Sequence, residues 1–145
     1  FLRYFNVFGP RQDPLSQYAA VIPNFITKIL QGVSPTIYGD GEQSRDFTFV
    51  ENVVEGNILA SLATHLRGAA LNIACGDRIT VNGLVREIND VLGTDVKPAH
   101  AGERPGDIKH SNADISNAVQ ALHYAPKVAF REGLMRTAEW YRSRA

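Results

Sequence analysis

Apolar and polar positions along this chain follow two rhythms in turn. Phe1 to Phe8 is rich in aromatic and β-branched residues and stops at Gly9-Pro10, which predicts a buried strand and a turn. Arg11 to Tyr18 is polar and reads as loop. Ile22, Phe25, Ile26, Ile29 and Leu30 recur at helical spacing, and Gly32 follows as a stop. Thr36 to Tyr38 predicts a short strand, Gly39-Asp40-Gly41 a turn, and Phe47 to Val50 an extended stretch. Val53, Val54, Asn57, Ile58, Ser61 and Leu62 suggest the face of a second helix. Leu71 to Ala74 is another short strand, closed by Gly76. Thr80 caps a third helix whose face carries Val81, Leu84, Val85, Ile88, Val91 and Leu92, and Gly93 ends it. Asp95 to Asp107 holds two prolines and two glycines and predicts mostly loop. Asp114 is placed to cap a short helix through Leu122, and Phe130 with Leu134 as the staple of a last helix ending near Arg142. Strands and helices alternate, so the class is α/β, with mixed short strands and four to five helices. No repeat, low-complexity segment or linker divides residues 1–145, which are read as a single domain.

Composition narrows the function classes. Hydrophobic residues are 44% and charged residues 21%, ordinary for a globular protein. Fifteen Lys and Arg balance fifteen Asp and Glu, which argues against a general nucleic-acid or anionic-membrane binder, since both need a basic excess. No apolar run reaches transmembrane length. Cys75 is the only cysteine, so no internal disulfide forms, and the expected compartment is the cytoplasm. The opening Phe1-Leu2-Arg3-Tyr4-Phe5 reads as a strand joined midway, from which residues upstream are expected.

Three segments carry groups suited to ligand chemistry. Asn6 sits near the end of the first predicted strand, and in open α/β sheets ligands collect at the carboxyl ends of strands. Its amide can donate to and accept from a phosphate or sugar, but a strand-end Asn more commonly satisfies its own turn. Tyr38-Gly39-Asp40-Gly41-Glu42-Gln43-Ser44-Arg45-Asp46-Phe47 joins a glycine turn, which permits close backbone approach, to an arginine before an apolar strand. A guanidinium grips phosphate through two parallel charge-assisted bonds, yet a surface pair of Arg45 with Asp46 or Glu42 is the commoner fate. Glu103 to Asp114 places Arg104 on a loop stiffened by Pro105 and loosened by Gly106, with Asp107 expected to orient Arg104, unless the loop is simply solvated.

Other chemistry is missing from the 145 residues. His65, His100, His110 and His123 lack metal-ligand spacing, and Cys75 has no neighbouring base and reads as a small core residue. There is no Gly-x-Gly-x-x-Gly or Walker loop, and no Tyr followed by Lys four residues later; Tyr124 and Lys127 are three apart.

The segments in order, Arg3-Tyr4-Phe5-Asn6-Val7-Phe8-Gly9-Pro10-Arg11-Gln12-Asp13-Pro14, Ala20-Val21-Ile22-Pro23, Gly39-Asp40-Gly41 with Ser44-Arg45-Asp46-Phe47, Arg104-Pro105-Gly106-Asp107 and Ala113-Asp114, resemble the C-terminal half of UDP-hexose 4-epimerases, members of the extended short-chain dehydrogenase/reductase family. The resemblance runs from Phe1 to about Trp140. Its Gln-Asp-Pro and Ala-Val-Ile-Pro pieces look most like the branch handling UDP-GlcNAc and UDP-GalNAc. It implies the C-terminal, substrate-binding portion of a Rossmann-type enzyme, with a UDP-sugar as the partner molecule. By resemblance, Asn6 would contact the sugar nucleotide near its phosphates, Tyr38 would lie beside the uracil, and Asn24 would line the nucleotide pocket. Arg45 and Arg104 would clamp the diphosphate, Asp107 would support the loop, and Ser111 would stand at a gate beside the hexose C2 substituent. In the family, NAD and a Tyr-x-x-x-Lys pair perform the C4 oxidation and return of hydride. Neither the glycine loop nor that pair is present here, so no residue is assigned a catalytic role and no tight NAD binding by this chain is expected. Homo-oligomers are expected, through surface such a half leaves open. The alternatives are a nucleotide-sugar dehydratase or decarboxylase of the same family, a binding or assembly module derived from it that turns nothing over, or a structural remnant.

Overall fold

The computed structural model describes residues 1–15, 21–66 and 68–144. Ala20 of the Ala-Val-Ile-Pro piece and positions 16–18 of the polar loop lie outside them. In chain order the elements are β1 (Leu2–Tyr4), β2 (Val7–Phe8), α1 (Val21–Leu30), β3 (Thr36–Tyr38), β4 (Ser44–Arg45), β5 (Thr48–Phe49), α2 (Val50–Leu62), β6 (Leu71–Ile73), β7 (Ile79–Thr80), α3 (Val81–Leu92), β8 (Ala99–Ala101), β9 (His110–Ser111), α4 (Ser116–Leu122) and α5 (Phe130–Arg142). The α/β class with five helices and short strands is as expected.

Four small sheets carry the pairing. β1 runs parallel to β6, β2 parallel to β5, and β3 parallel to β8, while β4 lies between antiparallel β7 and parallel β9. Several expectations need correction. Phe1 to Phe8 is not one buried strand. Asn6, at φ 37°, breaks it into β1 and β2, and Phe1 is 86% exposed. The region 95–107 is mostly loop, as expected, and its one regular stretch among the described residues, Ala99–Ala101, pairs with β3. The stretch expected to be extended through Val50 ends at Phe49, and α2 begins at Val50.

Cap chemistry explains the sharpest helix boundaries. Thr80 accepts a hydrogen bond from Gly83 N–H at 3.0 Å, and Gly93 closes α3 in the left-handed conformation that costs glycine little. Asp114 acts one residue away from the expected position. The N-cap of α4 is Ile115, and Asp114 Oδ1 accepts from Ser116 N–H at 2.9 Å and from the Ser116 hydroxyl. Phe130 and Leu134 are no staple, because Phe130 is already the first residue of α5; both join the core.

Two apolar cores result. The larger joins α1, α3 and α5 to a phenylalanine cluster in which Phe8 meets Phe47, Phe49 and Phe130 with ring centroids 5.6–6.4 Å apart. The smaller gathers Val53, Leu71, Ile73, Ala118, Leu122 and Tyr124. Helix α2 turns an unexpected face inward: Asn52, Val53 and Gly56 are buried, whereas Val50, Val54, Ile58 and Leu62 are exposed. Gly56 is needed there, since a Cβ would come 2.9 Å from Ile73. Asn52 accepts from the Lys127 and Val128 amides and donates to Val128 O at 2.8 Å, fastening α2 to the lead-in of α5.

Candidate functional site

A cleft of about 610 Å³ opens between α1, β3, the start of β4 and the loop before β9. Its walls bring together five residues singled out in the sequence: Asn24, Tyr38, Arg45, Arg104 and Asp107. Asn24 and Lys28 come from α1, where a spacing of four residues puts both on one face beside Val21 and Phe25. β3 supplies Tyr38 at its end. Its neighbour Gly39 has φ 80°, which a side-chain-bearing residue would adopt only with strain, and the chain turns there toward β4.

The two arginines are held by different partners from those expected. Asp107 does not orient Arg104. Its Oδ1 lies 2.5 Å from Arg45 Nη2, and Arg45 Nη1 donates to Ser44 O at 2.9 Å. Arg104 instead lies flat on Tyr38, its guanidinium carbon 3.8 Å from the ring centroid. Gly106, at φ 81°, and the bond from Asp107 N–H to Arg104 O at 3.2 Å form the turn that sends the two side chains to separate partners. Nor does Arg45 pair with Asp46 or Glu42: Asp46 is fully buried, and the Glu42 carboxylate accepts from Asn82.

The glycine turn is packed against the protein itself. A Cβ on Gly41 would fall 2.2 Å from Asn82 Oδ1, and Asn82 Nδ2 donates to Asp40 O at 2.9 Å, so this turn is clamped to the start of α3. On the other side of the turn, Glu103 packs over Gly39.

Asn6 and Ser111 do not line the cleft; they stand behind Arg45. Ser111 is paired in register with Arg45, its carbonyl accepting from Asp46 N–H at 3.0 Å, and Asn6 Nδ2 donates to Asp46 O at 3.0 Å. Sequence reasoning missed Lys28 and Gln43. The helical spacing from Asn24 was the available signal for Lys28. Gln43, which donates to Tyr38 O at 2.7 Å, carries no local mark within its polar loop.

Three of the four histidines have local partners or roles. His110 Nδ1 meets Ser44 Oγ at 2.9 Å, His100 Nδ1 meets Gly39 O at 2.8 Å, and His123 closes α4 in the left-handed region. Burial pushes the Cys75 thiol up from its usual value, with the nearby Asp46 charge adding to the effect, so the thiolate is disfavoured. No metal-binding cluster of His, Cys, Asp and Glu occurs among the described residues, and no described helix is long and apolar enough to cross a membrane.

What this geometry defines is an α/β fold with a cationic cleft at its strand ends. Residues 1–74 match the NAD dependent epimerase/dehydratase family, and the chain belongs to that family. It is similar to a putative UDP-glucose 4-epimerase of Methanocaldococcus jannaschii, at 35% identity over 98% of this chain and 45% of the relative. It is also similar to a UDP-N-acetyl-alpha-D-glucosaminuronate decarboxylase of Bacillus cytotoxicus, at 31% identity over 97% of this chain and 45% of the relative. Among solved structures it superposes on the UDP-N-acetylglucosamine 4-epimerase of Methanobrevibacter ruminantium in complex with UDP-N-acetylmuramic acid, with a TM-score of 0.92 and 50% identity, over 99% of this chain and 46% of that one. The chain thus spans about half the length of the relatives it matches, and the fold is that part of a Rossmann-type epimerase.

Proposed function

We propose that this chain is the sugar-nucleotide-binding half of an NAD-dependent UDP-sugar 4-epimerase, with UDP-GlcNAc and UDP-GalNAc as the substrates of the whole protein. The observation that carries the reading is the convergence of Arg45, Arg104 and Lys28 with Asn24 and Tyr38 on one cleft. Three cations, of which only Arg45 is ion-paired among the described residues, suit a diphosphate in a chain of zero net charge. Asn24 supplies both a donor and an acceptor for ribose or base, and Tyr38 a flat apolar wall. The N-acetyl preference draws on Ser111 and on the M. ruminantium relative, whose ligand is an N-acetylated UDP-sugar. Ser111 stands beside Arg45 outside the cleft wall and would act as a gate only for a hexose reaching past Arg45 to β9.

We assign no NAD seat to the described helix that follows β5. The crossover helix that follows β5 begins Val50-Glu51 with no glycine-rich turn, and Glu51 in its first turn opposes a pyrophosphate there. No step of the redox chemistry is therefore assigned to this chain, whose part is to bind and orient the substrate. The Bacillus cytotoxicus relative favours a second reading, a decarboxylase or dehydratase, which uses the same cleft and differs in the groups that act on the sugar.

Titration calorimetry of the chain with UDP tests the reading. Arg45→Ala and Arg104→Ala should each weaken binding by about 1.5–3 kcal/mol. Affinity unchanged in both variants removes the assignment. The chain on its own should neither bind NAD tightly nor interconvert UDP-sugars, and turnover above a blank would contradict this.

A further inference from the structure

Behind the cleft lies a buried carboxylate that touches no cleft-lining side chain. Asp46 is 0% exposed. Its Oδ1 accepts from Cys75 N–H at 3.0 Å, and its Oδ2 accepts from Gly76 N–H at 2.9 Å and from Ala113 N–H at 3.4 Å. Its own amide and carbonyl hold Ser111 and Asn6. One residue thereby joins the break after β1, the end of β4, the turn after β6 and the strand end at β9.

Burial holds the Asp46 carboxyl above its usual range, and the three backbone donors offset part of that cost of burying the charge. Such a fully satisfied polar knot makes a rigid frame. Arg45 is the neighbouring residue in the chain, and its guanidinium reaches back to Ser44 O while Ser111 pairs beside it. Any slackening of the knot therefore moves Arg45 first.

From this we infer that Asp46 is a positioning residue for the anion clamp: it acts through Arg45, setting that guanidinium against the cleft, and does not touch the ligand. The inference rests on the reading of the cleft as a UDP site, so its test has one arm that needs no ligand. Arginine side-chain NMR of the 145-residue chain should show the Arg45 Nε–Hε signal shifted or broadened by Asp46→Asn, while that of Arg131, paired with Glu87 elsewhere, stays in place. Asn89→Ala, which unties a buried polar knot on α3 that shares no partner with Asp46, should leave Arg45 unmoved. An Arg45 signal indifferent to Asp46→Asn overturns the inference.

The second arm is a double-mutant cycle by calorimetry with UDP as the probe. Asp46→Asn should weaken UDP binding about tenfold in the native background and by less than about twofold in the Arg45→Ala background, because coupled residues are non-additive. Equal losses in both backgrounds would show a merely structural role. If the unaltered chain fails to bind UDP, the functional reading falls while the NMR arm still decides the role of Asp46. Asp46→Ser, which keeps one acceptor without the charge, takes the place of Asp46→Asn if that variant shows no cooperative melt.

Discussion

Arg104 rests on the ring of Tyr38, 3.8 Å from its centroid, while Asp107, two residues past Pro105 on the same loop, turns to Arg45. The loop before β9 is thus tied to the β3–β4 side of the cleft by two contacts of different kind, one through a π face and one through an ion pair. A cation over an exposed tyrosine is worth about 0.5–1 kcal/mol. Tyr38→Leu should therefore weaken UDP binding several-fold, by roughly that energy, with little change in melting temperature. Calorimetry beside a thermal melt checks both halves, and an unaltered affinity would separate Arg104 from its platform.

Ser111 offers a test of substrate choice in a completed enzyme. It sits half-buried on β9 beside Arg45. A tyrosine there would fill volume that an acetamido group needs, and packed sites do not simply yield. In a full-length protein carrying this half, Ser111→Tyr should abolish turnover of UDP-GlcNAc and spare UDP-glucose. Paired rate measurements on the two substrates check it; equal retention of both returns Ser111 to a plain strand residue.

Alkaline stability should depend on Tyr124. Its hydroxyl donates to Ala74 O at 3.1 Å, and burial, aided by the charges at Cys75 and Asp46, raises its pKa well above the ordinary tyrosine value. The folded state therefore holds the proton more tightly than the unfolded chain. The stabilisation is complete below pH about 10, the unfolded value, and is lost as pH rises from there through the folded value. Tyr124→Phe should cost about 1 kcal/mol at neutral pH and flatten the fall in urea midpoint between pH 9 and pH 11.

Gly133 is a packing position. A Cβ there would lie 2.7 Å from the Phe49 ring, inside the phenylalanine cluster. Gly133→Ala removes a helix-weakening glycine yet should destabilise by about 1–3 kcal/mol through overpacking. Chemical denaturation measures it, and a gain in stability would mean that the ring moves aside at small cost.

The parts of the fold legible in the sequence are those with strong local signals. Helix α3, twelve residues long, shows its apolar stripe between the Thr80 cap and the Gly93 stop, and all three appear in the structure. Helix α2 was legible in extent but not in orientation. Periodicity alone points Val54, Ile58 and Leu62 inward, while packing places Asn52 and Gly56 there, because an amide can bridge Lys127 and Val128 and a glycine lets Ile73 approach. The cleft was legible as a set of residue types, since Asn24, Tyr38, Arg45, Arg104 and Asp107 do converge. Their pairing was not, because whether Asp107 meets Arg104 or Arg45 depends on the Gly106 turn and on β9 lying beside β4, contacts more than sixty positions apart in the chain.

Helix α2 carries Val50, Val54, Ile58 and Leu62 in the open, every fourth residue along one slowly winding stripe, beside a β1 strand that among the described residues is paired on one edge only. Exposed apolar rows of this kind favour association, and self-association of the chain is the expected outcome by light scattering. Copies that cover one another's stripe link folding to mass action. The melting temperature should then climb with protein concentration, and for this chain dilution would itself act as a denaturant.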